Sequence, residues 1–145
     1  YKFEEVARWA LDSGYLVCLV GGADSVESGA GLAARFDPKR VINLTGKTSL
    51  AETAAVLSLS VACVSSDTGV LHIGYAVGAK VVGLFGSAIK EKWAPRGTKS
   101  HILTAELECS PCTKGSITPS CKNGFKCMDD ISADSVINAL EELLG

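Results

Sequence analysis

The sequence predicts an α/β fold of the Rossmann-like kind, a parallel sheet with helices on both faces. Two patterns carry that expectation. Short, continuous apolar runs such as residues 15–20 and 80–85 end in glycine and are too short for helices, which is how strands buried on both faces of a parallel sheet read. Helical stretches of ten or so residues lie between these runs, so strand and helix alternate as in right-handed βαβ units. A length of 145 residues, 47% of them hydrophobic, suits one compact domain over residues 1–145.

Phe3, Val6, Ala7 and Ala10 recur at helical spacing, and Gly14 follows where a helix end favours a left-handed residue, so the chain opens inside a helix. That stripe needs a sheet to cover, which implies an upstream strand and marks the chain as a fragment. Residues 15–20 form a strand closed by Gly21-Gly22. Asp24 with Glu27 is a capping-box pattern that opens a helix to about Phe36, although Gly29 and Gly31 inside it each cost about 1 kcal/mol relative to alanine. Residues 40–43 form a strand, and Ser49 with Glu52 repeats the capping box. A third unit follows: a strand over 61–64, the turn Ser65-Ser66-Asp67-Thr68-Gly69, a helix to about Val77 and a strand over 80–85. Residues 101–104 read as one more strand. A cysteine-rich loop spans about 106–130, and Ser132 caps a last helix over about 132–144, with Ile131 and Val136 placed to staple its entry.

Several classes are excluded at this level. Fourteen basic against sixteen acidic residues, scattered along the chain, leave no footprint for nucleic acid. The apolar runs fall far short of the roughly 18 residues that a membrane-spanning helix requires. No cleavable presequence pattern opens the chain. No G-x-G-x-x-G follows a strand, and the position about 20 residues past Gly21-Gly22, where a dehydrogenase would place an acidic ribose partner, is Asn43. No spaced carboxylate pair opens a loop after a strand, so a metal-dependent transfer is not indicated.

Ligands of open parallel sheets sit outside the carboxyl ends of the strands. The turns there are Gly21-Gly22-Ala23-Asp24, Ser65-Ser66-Asp67-Thr68-Gly69 and Gly86-Ser87-Ala88, all small and polar, as suits a phosphorylated ligand held by backbone N–H groups and a helix start. Each has a plainer reading beside it. Gly21-Gly22 serves equally as a tight strand-to-helix turn, Asp67 as the N-cap of the helix that follows, and His72 as an ordinary surface or core histidine.

The run Ser66-Asp67-Thr68-Gly69-Val70-Leu71-His72-Ile73, followed by Ala76-Val77-Gly78-Ala79-Lys80-Val81-Val82-Gly83-Leu84-Phe85-Gly86 and by Trp93-Ala94-Pro95, resembles glycosyltransferase family 9, the bacterial ADP-heptose:lipopolysaccharide heptosyltransferases and their relatives. Gly21-Gly22, the segment Thr45-Gly46-Lys47-Thr48-Ser49-Leu50 and the cysteine-rich tail extend the resemblance over nearly the whole chain. It implies a GT-B enzyme of which this chain is the C-terminal, donor-binding half. It further implies inverting transfer of heptose from ADP-heptose to the lipopolysaccharide core, no required cofactor, and a cytoplasmic enzyme meeting its acceptor at the inner membrane face. Carried over by position, Asp67, Thr68, Gly69 and His72 lie against the diphosphate and sugar, with Thr68, Gly69 and His72 stabilising the leaving group. Gly21 and Gly22 line the nucleotide pocket, Asn43 approaches the ribose, and Ser87 completes the donor-binding set. Asn43 stands where the heptosyltransferases carry a carboxylate, and Ser87-Ala88 where the family often shows Pro-Thr. The catalytic base and the key phosphate-binding lysine fall outside these residues, so the 145 residues alone are expected to be inactive. The competing reading is a non-catalytic nucleotide- or phosphate-binding module.

Cys109, Cys112, Cys121 and Cys127 form a C-x2-C-x8-C-x5-C pattern. A structural zinc or iron–sulfur site, disulfides, and reduced packed thiols are all compatible with it. Cys18 and Cys63, in strands, read as plain apolar side chains.

Overall fold

The computed structural model describes residues 2–115 and 117–145. Its elements are α1 (Lys2–Asp12), β1 (Val17–Leu19), a 3-10 turn (Ala23–Ser25), α2 (Val26–Ala33), β2 (Val41–Asn43), α3 (Leu50–Ser58), β3 (Ala62–Ser66), α4 (Gly69–Ala76), β4 (Lys80–Phe85), α5 (Lys90–Trp93), β5 (Ser100–Thr104), α6 (Lys126–Asp129) and α7 (Ala133–Leu144). The pairings of these strands are all parallel: β1 with β2, and β4 with both β3 and β5. The chain divides into two compact units, residues 1–56 and 57–145, and the two sheets fall one in each.

In residues 1–56, α1 buries Val6, Ala7 and Leu11, while Phe3 is 48% exposed, so Leu11 rather than Phe3 completes the stripe. Gly14, at φ +88°, ends the helix in the left-handed conformation that glycine reaches without strain. The strand expected over residues 15–20 is shorter than its apolar run: β1 is half-buried throughout and Leu16 is exposed.

The two capping boxes behave differently. Ser49 and Glu52 close theirs, with Ser49 N donating to Glu52 Oε2 at 2.8 Å and Glu52 N to Ser49 Oγ at 3.3 Å. These bonds to Ser49 hold the Glu52 carboxyl below its ordinary pKa. Asp24 and Glu27 do not form one, because the chain enters α2 through the 3-10 turn and Ser25 becomes the N-cap residue without a side-chain cap bond. The helix also stops at Ala33, short of Phe36. Gly29, apparently costly within α2, is explained by Thr45: a methyl there would lie 2.6 Å from Thr45 Oγ1. Gly31 has nothing within 4 Å of its missing Cβ.

In residues 57–145, β4 is the central strand and Val81, Val82 and Phe85 on it are fully buried, together with Leu71 of α4. Both α4 and α7 pack on this sheet, α7 through Val136, Ala139 and Leu140. Gly83 admits that packing, since a Cβ there would meet Ile102 Cδ1 at 2.9 Å and Leu71 Cδ2 at 3.0 Å. The expected cap of the last helix forms: Ser135 N donates to Ser132 Oγ at 3.1 Å, and Ile131 and Val136 are both buried at its entry. The short helices α5 and α6 have no periodic signal in the sequence. Among the described residues no helix is long and apolar enough to cross a membrane.

Urea unfolding provides the check on this reading of α2. Gly31→Ala should stabilise by about 0.5–1 kcal/mol, through lower chain entropy in the unfolded state and higher helix propensity. Gly29→Ala should instead destabilise by about 1–3 kcal/mol, because Thr45 has to move. Equal responses would mean that Thr45 does not constrain the helix.

Candidate functional site

In residues 57–145 the ends of β3 and β4 lie side by side, Ser66 opposite Leu84, and Asp67 N donates to Leu84 O at 3.1 Å, carrying the ladder one residue past β3. The chain then turns through Thr68, whose extended backbone (φ −140°, ψ 170°) makes it the N-cap residue of α4. Asp67 is therefore not the helix cap. With its N–H tied to β4, it stands one residue too early, and its Oδ1 lies 3.2 Å from His72 Nε2 instead. The Thr68 hydroxyl does not cap the helix either, being 3.0 Å from Ser65 Oγ. The first turn of α4 thus keeps N–H groups without a side-chain cap at the positive end of its dipole, the arrangement that receives anions. Gly69 is exposed with nothing within 4 Å of its missing Cβ, so a bulky group can approach.

At the end of β4, Gly86 is buried and Ser87 half-buried. The loop after β5 returns to this turn and takes up its carbonyls. Ser110 Oγ donates to Gly86 O at 2.6 Å, and Cys112 N and Thr113 N donate to Ser87 O at 3.1 and 2.9 Å. A Cβ on Gly86 would meet Met128 Sδ at 2.7 Å and Cys127 Sγ at 3.0 Å, so any side chain here would have to displace these two.

In residues 1–56, Gly21 and Gly22 follow β1 without positive φ. Gly21 is small because Ser25 crowds it, its would-be Cβ lying 2.8 Å from Ser25 Cβ, and its carbonyl accepts from Gly46 N at 2.9 Å. Asn43, at the end of β2, has Oδ1 accepting from Thr45 N at 3.0 Å and Thr45 Oγ1 at 2.7 Å, while its backbone carbonyl accepts from Lys47 Nζ at 2.9 Å. Its remaining side-chain capacity is the amide donor pair on Nδ2. Ser65 and Thr45 stand in the sequence only as members of the 65–69 turn and the 45–50 segment; their hydroxyl bonds, to Thr68 and to Asn43, come from the structure.

The six cysteines are free thiols, the reduced alternative among those the sequence leaves open, and among the described residues no group of three or more His, Cys, Asp or Glu side chains is placed to hold a metal ion. Cys109, Cys112 and Cys121 nevertheless act on Cys127, whose thiol is pushed up by burial and then by these neighbouring thiols. Cys112 is turned to the β4 loop through its backbone, and Cys121 Sγ accepts from Phe125 N at 3.1 Å.

The family model described as glycosyltransferase family 9 (heptosyltransferase) matches residues 1–121. Lipopolysaccharide heptosyltransferase 2 of Escherichia coli is 25% identical over 147 residues, covering 99% of this chain and 41% of that protein. A glycosyl transferase family 9 structure from Veillonella parvula superimposes with a TM-score of 0.80 at 24% identity, over 99% of this chain and 40% of that one. Escherichia coli heptosyltransferase WaaC, solved with ADP, gives a TM-score of 0.74 at 23% identity, over 98% and 38%. The chain thus spans about two-fifths of the length of these relatives.

Burial separates the thiols. Cys63 is buried and its thiol is pushed up to about 11 by desolvation, whereas Cys109 and Cys121 are exposed. Titration with a thiol-reactive disulfide reagent at pH 8 should modify Cys109 and Cys121 first and leave Cys63 silent until the chain unfolds. Fast reaction of Cys63 in the folded chain would contradict this packing of β3.

Proposed function

This chain belongs to glycosyltransferase family 9, and from that premise we propose that residues 1–145 act as the donor-binding domain of a GT-B heptosyltransferase. The reaction is transfer of heptose from ADP-heptose to a lipopolysaccharide core acceptor. One observation carries the reading: the uncapped start of α4 beside the Asp67–His72 pair, at the carboxyl end of β3. Support for the nucleotide comes from the WaaC structure with ADP, and for the sugar and acceptor from the names of the relatives.

In the step proposed, an acceptor hydroxyl adds to the anomeric carbon while the bond from that carbon to the phosphate oxygen breaks, and the electron pair leaves with the nucleoside diphosphate. The charge that grows on the departing phosphate meets the N–H groups and dipole at Thr68 and Gly69. His72 donates through Nε2 to Asp67, which fixes the ring; as an imidazolium it has Nδ1–H as a second donor for phosphate. Ser87 is assigned to the sugar side of the donor. In residues 1–56, Gly21 and Gly22 leave room for the nucleoside and Asn43 offers its amide N–H groups to the ribose. The general base that takes the acceptor proton is assigned to none of these residues. The enzyme works in the cytoplasm and meets its lipid acceptor at the inner membrane face.

Calorimetric titration of the chain with ADP, UDP, GDP and ADP-heptose tests this. ADP and ADP-heptose should bind selectively, and Asp67→Ala and His72→Ala should each weaken binding about tenfold or more, the scale of a charged hydrogen bond. Absence of binding by every diphosphate at millimolar concentration would overturn the donor-site reading. The 145 residues should bind without transferring, so turnover by this chain alone would show that a base had been overlooked.

A further inference from the structure

The side-chain amide of Asn43, at the carboxyl end of β2, has one orientation open to it. Its Oδ1 faces Thr45 N at 3.0 Å, and because a main-chain N–H only donates, the atom there is the carbonyl oxygen and not the NH2 group. The Thr45 hydroxyl adds a second bond to the same oxygen at 2.7 Å. Both lone pairs of Oδ1 are thus taken, and Nδ2 is left over with two N–H groups that have no partner among the described residues.

We propose that Thr45 is a positioning residue and that Asn43, held by it, is specificity-determining: the end of β2 offers N–H groups alone and selects an oxygen of the nucleotide's ribose that accepts. This rests on the nucleotide-sugar reading above and deepens it. Lys47 adds to the same bias, since its Nζ donates to Asn43 O at 2.9 Å and brings an ammonium to this strand end. A ribose oxygen that accepts from Nδ2 is matched here, whereas a hydroxyl turned to donate finds Oδ1 already filled.

The two branches of Thr45 have separable jobs. The residue is 4% exposed, and its Cγ2 lies 2.7 Å from where a Cβ on Gly29 would stand and 3.7 Å from the same point on Gly21, so the methyl fills the space that these glycines leave. The hydroxyl holds the Asn43 amide. Substitutions that remove one branch at a time therefore divide packing from positioning.

Titration of the 145-residue chain with ADP, followed by NMR at the Asn43 side-chain NH2 group and at the amides of residues 66–72, tests the proposal. ADP should shift the Asn43 NH2 pair saturably. Thr45→Val keeps the methyl and loses the hydroxyl, and should weaken ADP about threefold to tenfold, the range of one neutral hydrogen bond. Thr45→Ser keeps the hydroxyl and loses the methyl, so it should melt earlier yet bind ADP as the wild type does. Asn43→Asp preserves both bonds from Thr45 but turns the N–H groups into an acceptor; ADP should bind about tenfold or more weakly, and the loss should persist at 1 M salt, where repulsion is screened beyond about 3 Å. Undiminished binding by Asn43→Asp, or a loss that salt abolishes, overturns the selection of an accepting oxygen. Wild-type affinity in Thr45→Val, or a loss in Thr45→Ser that matches it, overturns the positioning role. An ADP response confined to residues 66–72 overturns this inference and leaves the nucleotide-sugar reading standing; no response at either place overturns both.

Discussion

The parallel ladder of β4 with β3 and β5 is the constraint on which the candidate site depends. Parallel pairing sends the carboxyl ends of neighbouring strands to one edge, and the buried side chains Val81, Val82 and Phe85 hold β4 at the centre of the sheet. The bond from Asp67 N to Leu84 O extends that ladder into the turn, so the chain leaves β3 at a fixed point. Everything downstream follows from that exit: Thr68 falls at the N-cap, Gly69 opens α4, and Asp67 is left beside His72.

The turn at Gly86 and Ser87 is fixed from its other side by the cysteine-bearing loop. Three donors from Ser110, Cys112 and Thr113 close on two successive carbonyls, and sulfur from Cys127 and Met128 fills the space beside Gly86. A loop with little core of its own thereby gains a defined position through backbone hydrogen bonds and packing. In residues 1–56 the same economy appears around Thr45, which bonds Asn43, fills the space at Gly29 and precedes the left-handed Gly46.

Strand–helix alternation and the parallel class were legible in the sequence because buried strands leave continuous apolar runs. Residues 80–85, which read as a strand, are β4 to the residue. Equally spaced capping signatures had different outcomes, formed at Ser49 and Glu52 but not at Asp24 and Glu27, because the 3-10 turn at Ala23–Ser25 shifts the helix start past Asp24. Spacing alone does not encode that shift. Gly29 read as a local penalty because its justification, Thr45, lies far along the chain. At the candidate site, the run 66–73 named Asp67, Thr68, Gly69 and His72 together, while which of them caps α4 depended on a ladder bond from Asp67 to Leu84 that no local pattern announces.

A crystal structure of this chain with ADP tests the central claim most directly. The account predicts the diphosphate within hydrogen-bonding distance of Gly69 N at the start of α4, with His72 turned to a phosphate oxygen while it keeps Asp67. A diphosphate bound away from the start of α4, with the Thr68–Gly69 turn and His72 untouched, would contradict it.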